Sequence, residues 1–349
     1  MRLTYLISAD YVRTTGGWIY NERLLAELAA LGWSIDRIEL ASGFPVPSSQ
    51  AIAAATRVLE ALPDRTLVLA DQVVLSPLAH LLPQHAQRLR FAMLMHHPQV
   101  LEASRPADVA TRMDGQERAA LALMDRVIAT SPLTARQMTA DYAVDPAKLI
   151  TALPGTDPQP PSPGSGASTP HLLSLGSVIP RKRHELIVAA LAGLADLDWR
   201  LTIAGSLAMN AAHVEMIRER IDAGGLAARV TLPGDLTGPE LDALWKRTDL
   251  YVASSRHEGF GMAIAEAIAR GIPVVSTRSG AVGGWLDPGA SLLVEPDDVA
   301  TLRAALQRML TEPGLREKLR AGTRAARAAL PTWPQSAEVV SEGLRKLSP

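Results

Sequence analysis

The stretch DLYVASSRHEGFGMAIAEAIARGIPVVST, residues 249–277, carries the change of period that decides the fold. DLYVASS is a short apolar run of strand type, RHEGFG is polar and broken by glycine, and MAIAEAIARG is a helical segment closed by Gly271. IPVVST then resumes an apolar run, so strand, helix and strand follow one another in one sheet. In open parallel sheets ligands sit outside the carboxyl ends of the strands. RHEGFG occupies such a place.

The alternation extends outward on both sides. RLTYLISA, TLVLADQ, RFAMLMHHP and RVIATS read as strands, and NERLLAELAALG reads as an amphipathic helix closed by Gly32. That order implies a parallel sheet with helices on both faces. At 154–170 the texture changes to PGTDPQPPSPGSGASTP, a stretch expected not to pack and to serve as an interdomain linker. HLLSLGSV, WRLTIAGS and RVTLPGD then begin a second alternation. The expected fold class is α/β: two doubly wound, Rossmann-like domains at 1–153 and 171–333, facing each other across a cleft.

Composition narrows the function. A hydrophobic share of 47% in 349 residues is enough to bury two cores. Lys+Arg 35 against Asp+Glu 36 leaves a net charge of -1, so no global field argues for nucleic acid. The absence of cysteine excludes disulfides, thiolate metal sites and a cysteine nucleophile. No signal-peptide pattern and no apolar run of about 18 residues is found, so a cytoplasmic protein with at most peripheral membrane contact is expected.

Within RHEGFG, Gly259 and Gly261 let the backbone approach a ligand, and the following helix offers unpaired N–H groups to an anion such as a diphosphate. Glu266 lies about a turn and a half into that helix, where a carboxylate accepts ribose hydroxyls in nucleotide sites. Glu258 lies on the loop, nearer whatever hangs off the diphosphate. Spacing alone leaves open that Glu266 is a solvated helix residue and Glu258 an ordinary loop charge.

The stretch closely resembles the E-x7-E signature of family-4 retaining glycosyltransferases of the GT-B fold. The resemblance extends over nearly the whole chain, through TTGGWIYNERLLAELAALGW, MHHP, ATSPLTARQM, PGTDP and SLGSVIPRKRHELIVAAL. It implies that Glu266 binds the ribose, that Glu258 contacts the donor sugar, and that the amides of Phe260, Gly261 and Met262 meet sugar and diphosphate. It implies His96 as the catalytic histidine, favoured over His97 by the alignment of LMH. Gly16 and Gly17, read alone as a tight turn before a helix starting near Ile19, are implied to cover the diphosphate. Gly205, Ser206 and residues 232–236 fall where the family holds base and phosphate. The last segment, 334–349, is implied to cross back onto the first domain. Its Ala337, Val340 and Leu344 recur at helical spacing.

In GSVIPRKRHE, Lys182 with Arg181 can neutralise a diphosphate whose charge grows as a glycosidic bond breaks. The family also carries an arginine directly after the strand glycine. Here that place is Ser177, so either Arg181 or Arg183 substitutes or stabilisation of the leaving group is weaker. Neither a DxD motif nor a histidine–carboxylate cluster accompanies the histidines, and metal-independent chemistry is expected, with no cofactor beyond the nucleotide-sugar substrate.

The expected activity is retaining transfer of a sugar from a UDP- or GDP-sugar to a hydroxyl of a small molecule, glycan or lipid. The alternative is a catalytically degenerate nucleotide-sugar-binding partner protein, which Ser177 keeps open. An epimerase or phosphorylase lacks this E-x7-E context, and a solute receptor lacks its signal peptide here.

Overall fold

The structure is a computed structural model and describes residues 1–11, 15–102 and 106–347. Thr14 of TTGG and the last two residues of the 334–349 segment lie outside the described residues. The chain divides into two compact units, Met1–Gly155 with Pro331–Pro349, and Thr156–Leu330.

Unit 1 alternates β1 (Arg2–Ser8), α1 (Gly16–Ala30), β2 (Ser34–Leu40), α2 (Ser49–Ala61), β3 (Leu67–Asp71) and the short α3 (Gln72–Leu75). It continues through β4 (Arg90–Met95), α4 (Ala107–Ala122), β5 (Arg126–Ala129), α5 (Pro132–Tyr142) and β6 (Leu149–Thr151). The strands form one parallel sheet in the order β2-β1-β3-β4-β5-β6. β3 is buried along its whole length, as a parallel strand covered on both faces must be.

Unit 2 begins with β7 (His171–Leu175), α6 (His184–Ala192), β8 (Arg200–Ala204), α7 (Ala211–Ala223), β9 (Val230–Gly234) and α8 (Gly238–Lys246). It ends with β10 (Leu250–Ala253), α9 (Met262–Ala269), β11 (Val274–Thr277), β12 (Ser291–Val294), α10 (Val299–Thr311) and α11 (Pro313–Ala328). Its parallel sheet has the order β12-β11-β10-β7-β8-β9. Strand order therefore reverses between β1 and β3 in unit 1 and between β7 and β10 in unit 2. Those are the crevices where open α/β sheets take ligands.

The last helix, α12 (Trp333–Arg345), belongs to unit 1. A capping box of Thr332 and Gln335 starts it, and Ala337, Val340 and Leu344 are fully buried on its inner face. It packs on α1, the Trp33 indole donates to Ser341 Oγ at 2.9 Å, and the Ser336 hydroxyl donates to the Leu153 carbonyl. A Cβ on Gly155 would stand 2.2 Å from Trp333 N, so only glycine lets the helix start there.

Two expectations need correction. The Pro/Gly/Ser-rich stretch does pack. Ser162 Oγ lies 2.9 Å from the carbonyls of both Trp245 and Lys246, and Ser162 N donates to Arg270 O at 2.7 Å. The helix α11 meets the same stretch, Arg327 donating to the Gln159 carbonyl at 2.6 Å. Proline-rich backbone lacks N–H groups but keeps its carbonyls, and the arginines use them. Finally, α1 starts at Gly16 rather than near Ile19, with Thr15 Oγ1 accepting from Trp18 N at 3.3 Å, so both glycines lie in its first turn.

Candidate functional site

In unit 2, β7 is followed by Gly176 and a turn that presents Arg181 and Lys182. β10 is followed by Ser254 and Ser255, and the RHEGFG loop leads to α9. The two loops meet at the reversal of strand order. Lys182 Nζ donates to Glu258 Oε1 at 2.7 Å, and Ser255 Oγ donates to the same oxygen at 2.6 Å. Arg181 stands 3.8 Å from Glu258 Oε2 and donates to the His257 carbonyl at 2.8 Å. Burial alone would raise the Glu258 pKa, but Lys182, Arg181 and the hydrogen bonds outweigh it and bring it down to about 2. The carboxylate is thus a fixed anion that holds two cations in place.

Glycines shape this loop pair. Gly261 has φ +99 at the start of α9, and a Cβ on Gly280 would stand 2.2 Å from the Glu258 carbonyl oxygen. Gly205, at φ +135, touches the backbone of Gly176, where a Cβ would come within 2.3 Å. It keeps the Gly176–Ser177 turn in place. Phe260 is buried and stacks on Trp285 at 5.0 Å, which fixes the loop just before Gly261. At the start of α9, Ile264 N already donates to Gly261 O at 3.0 Å, which leaves the amides of Met262 and Ala263 without intrahelical acceptors. A cavity of about 20 Å³, room for roughly one water, lies among Lys182, His184, Ser255, Glu258 and Met262. Burial and the neighbouring Lys182 bring the His184 pKa down to about 3, so that wall is neutral.

Glu266 projects from α9, a third exposed, with Arg270 at 3.6 Å. Its pKa is raised, by burial first. Among the described residues its carboxylate makes no hydrogen bond to protein, as a group awaiting hydroxyl donors would not. Of the two arginines offered as substitutes at Ser177, Arg183 is engaged by Glu185 at 3.0 Å and Asp297 at 2.7 Å. Arg181 is the one beside Lys182 and Glu258.

In unit 1 the strand-end histidines separate. His96 Nε2 meets Asp71 Oδ2 at 2.9 Å, whereas His97 Nε2 meets Glu102 at 2.8 Å. Asp71 Oδ2 also accepts from Tyr11 Oη at 2.7 Å and Asn21 Nδ2 at 3.0 Å, and Oδ1 accepts from Val73 N at 3.0 Å. The next residue, Gln72, accepts from His96 N at 2.7 Å and donates to His97 O at 2.5 Å. A Cβ on Gly17 would stand 3.2 Å from the His96 ring, and Tyr20 packs edge-on at 5.4 Å. Sequence reasoning missed Asp71, Gln72, Tyr11, Asn21 and Ser255. The available signal was position, since Asp71 lies next to the end of the TLVLADQ run and is the last residue of β3. Among the described residues no group of three or more His, Asp or Glu is placed to hold a metal ion. Among them, too, no helix is long and apolar enough to cross a membrane.

Residues 157–326, which make up nearly all of unit 2, match the family model described as Glycosyl transferases group 1. The chain is 28% identical over 265 residues to the D-inositol 3-phosphate glycosyltransferase of Kineococcus radiotolerans, covering 68% of this chain and 60% of that one. The chain thus spans less than two thirds of that relative's length. Among solved structures it is similar to the sucrose-phosphate synthase of Thermosynechococcus elongatus, with TM-score 0.79, 22% identity and 99% of each chain covered. HepE of Anabaena in complex with UDP-glucose gives TM-score 0.80 at 16% identity, covering 99% of this chain and 100% of that one. The fold is the GT-B fold of those glycosyltransferases, with two Rossmann-like domains.

Proposed function

We propose that the chain is a retaining glycosyltransferase that moves a sugar from a nucleoside diphosphate sugar, UDP- or GDP-linked, to an acceptor hydroxyl. The observation that carries this reading is the Lys182–Glu258 pair, held at 2.7 Å where unit 2 reverses its strand order and beside the open amides of α9. A fixed ammonium and a helix N-terminus are donors suited to a departing diphosphate. Glu266 takes the ribose hydroxyls. Glu258 holds Lys182 and turns its remaining acceptor capacity toward the donor sugar. His96 of unit 1 meets a substrate hydroxyl.

The chemistry is a front-face displacement. The bond from the anomeric carbon to the β-phosphate oxygen breaks as the acceptor oxygen bonds on the same face. The hydroxyl proton passes to the departing phosphate oxygen. A double displacement would need a carboxylate positioned on the opposite face of the sugar. Asp71 and Glu258 are already engaged by protein donors.

The UDP-glucose in HepE puts uridine diphosphate sugars first among donors to test. A panel of UDP- and GDP-sugars assayed for slow hydrolysis needs no knowledge of the acceptor, and one donor is expected to release its nucleotide. No release together with no nucleotide binding by calorimetry would overturn the reading. Binding without release would favour the degenerate partner protein.

A further inference from the structure

We propose that Asp71 is a positioning residue that holds the His96 ring in one tautomer, with the proton on Nε2 and the lone pair of Nδ1 left to accept from a substrate hydroxyl. The tautomer stands on unit 1 alone; its use on a hydroxyl rests on the glycosyltransferase reading.

The donor set around Asp71 fixes the direction of each bond. Asn21 Nδ2 and Val73 N can only donate, and both point at the carboxylate. A side chain that receives donors on both oxygens is an ionised acceptor, so the remaining contacts, from Tyr11 Oη and His96 Nε2, are also donated to it. Burial alone would raise the Asp71 pKa, but His96 and these hydrogen bonds bring it below the ordinary value. Nε2 therefore carries the proton, and the lone pair of Nδ1 is left free to accept. Among the described residues Nδ1 makes no hydrogen bond, and the His96 side chain remains 14% exposed.

The support is two residues deep. Asp71 grips the ring while Gln72, its neighbour at the start of α3, grips the backbone on both sides of the His96–His97 peptide. Thr130 Oγ1 donates to His96 O at 3.1 Å from the next strand end. Gly17 packs near the Cδ2–Nε2 edge of the ring and Tyr20 meets it edge-on. A ring fixed this way meets substrate with no reorganisation, which is the advantage of preorganised polar groups.

Nitrogen-15 spectra of the histidine rings in the full chain test the tautomer without any substrate, with His96 assigned by its loss in His96→Gln. The expected result is Nε2 protonated in the natural chain and the proton moved to Nδ1, or shared, in Asp71→Asn. Donor hydrolysis by that variant is expected to lose roughly 10²–10⁴ in kcat with KM little changed, the upper figure being that of the wrong-tautomer variant in the Ser-His-Asp triad. Tyr11→Phe removes one donor and keeps the carboxylate, so it should retain the Nε2–H form; it serves if Asp71→Asn does not fold. A natural chain with the proton on Nδ1, or an Asp71→Asn spectrum unchanged from it, overturns the proposal. Absence of turnover with every sugar nucleotide would instead overturn the functional reading and leave the tautomer standing.

Discussion

Asp71 in unit 1 and Glu258 in unit 2 occupy comparable places. Each is a buried carboxylate near the carboxyl end of a strand that borders the reversal of strand order. Their partners differ. Asp71 is met by a phenol, an amide, an imidazole and a backbone N–H, whereas Glu258 is met by Lys182, Ser255 and, at 3.8 Å, Arg181. The first arrangement orients a ring. The second stores positive charge where an anion is to be received. One fold element thus supports two chemistries, chosen by which residues the neighbouring strand ends supply.

Glu117, on α4 of unit 1, completes the contrast. It is fully buried and meets uncharged donors, among them Gln99 through the backbone N–H at 3.1 Å and the side-chain amide at 3.3 Å. With neutral donors alone, burial wins and the pKa is pushed up to about 7.

Within unit 2, removing the cation from Glu258 should have the largest effect. Lys182→Ala is expected to lower kcat by roughly 10²–10³, about 2.7–4 kcal/mol, the cost of losing one preorganised donor. The contact strengthens as the sugar departs, so kcat rather than KM should fall. A raised KM with kcat intact would transfer the leaving-group role to Arg181.

The second prediction sets the two carboxylates against each other in pH. Glu258, at about 2 against an ordinary 4.5, contributes stability that is present above pH 4.5 and lost as pH falls toward 2. Glu117 has the opposite sign. Its raised pKa favours the protonated native state, so stability should fall as pH rises from 4.5 to 7. Glu117→Gln should flatten that decline, by at most about 3 kcal/mol. Urea unfolding at several pH values reads both slopes, and a decline that persists in Glu117→Gln would break the contrast.

Glu266→Ala should weaken nucleotide binding by ~1.5–3 kcal/mol, the range for hydrogen bonds to a charged group. Calorimetry with UDP and GDP measures it, and unchanged affinity for both would remove Glu266 from the site. The smallest effect is expected from chelation. EDTA should leave donor turnover nearly intact, and a loss restored by magnesium or manganese would show that a metal ion takes part.

Much of this was legible in the chain. The strands that were read are mostly those buried in the middle of each sheet, because burial on both faces forces a continuous apolar run. Those not read, β2, β6 and β12, are all edge strands. β2 reads SIDRIEL, half-exposed along its length, and β6 is three residues long. An edge strand keeps one side in water, so its sequence need not be apolar. The site was legible to the same degree. His96, Lys182, Glu258 and Glu266 stand at strand ends or in the helix that follows, where position alone draws attention. Tyr11 and Asn21 do not, since nothing local distinguishes a buried polar residue on a helix from an exposed one.

The sequence by itself determined the α/β alternation, the two parallel sheets and the cations and carboxylates near their carboxyl ends, because each is written in a local period or at a local boundary. Only the tertiary structure decided who meets whom. Lys182 reaches Glu258 across 76 positions, His96 reaches Asp71 across 25, and Arg181 rather than Arg183 joins the anion-facing group. Those meetings follow from where strand order reverses, and that reversal is set by the packing of whole helices and sheets, which leaves no mark on any one residue.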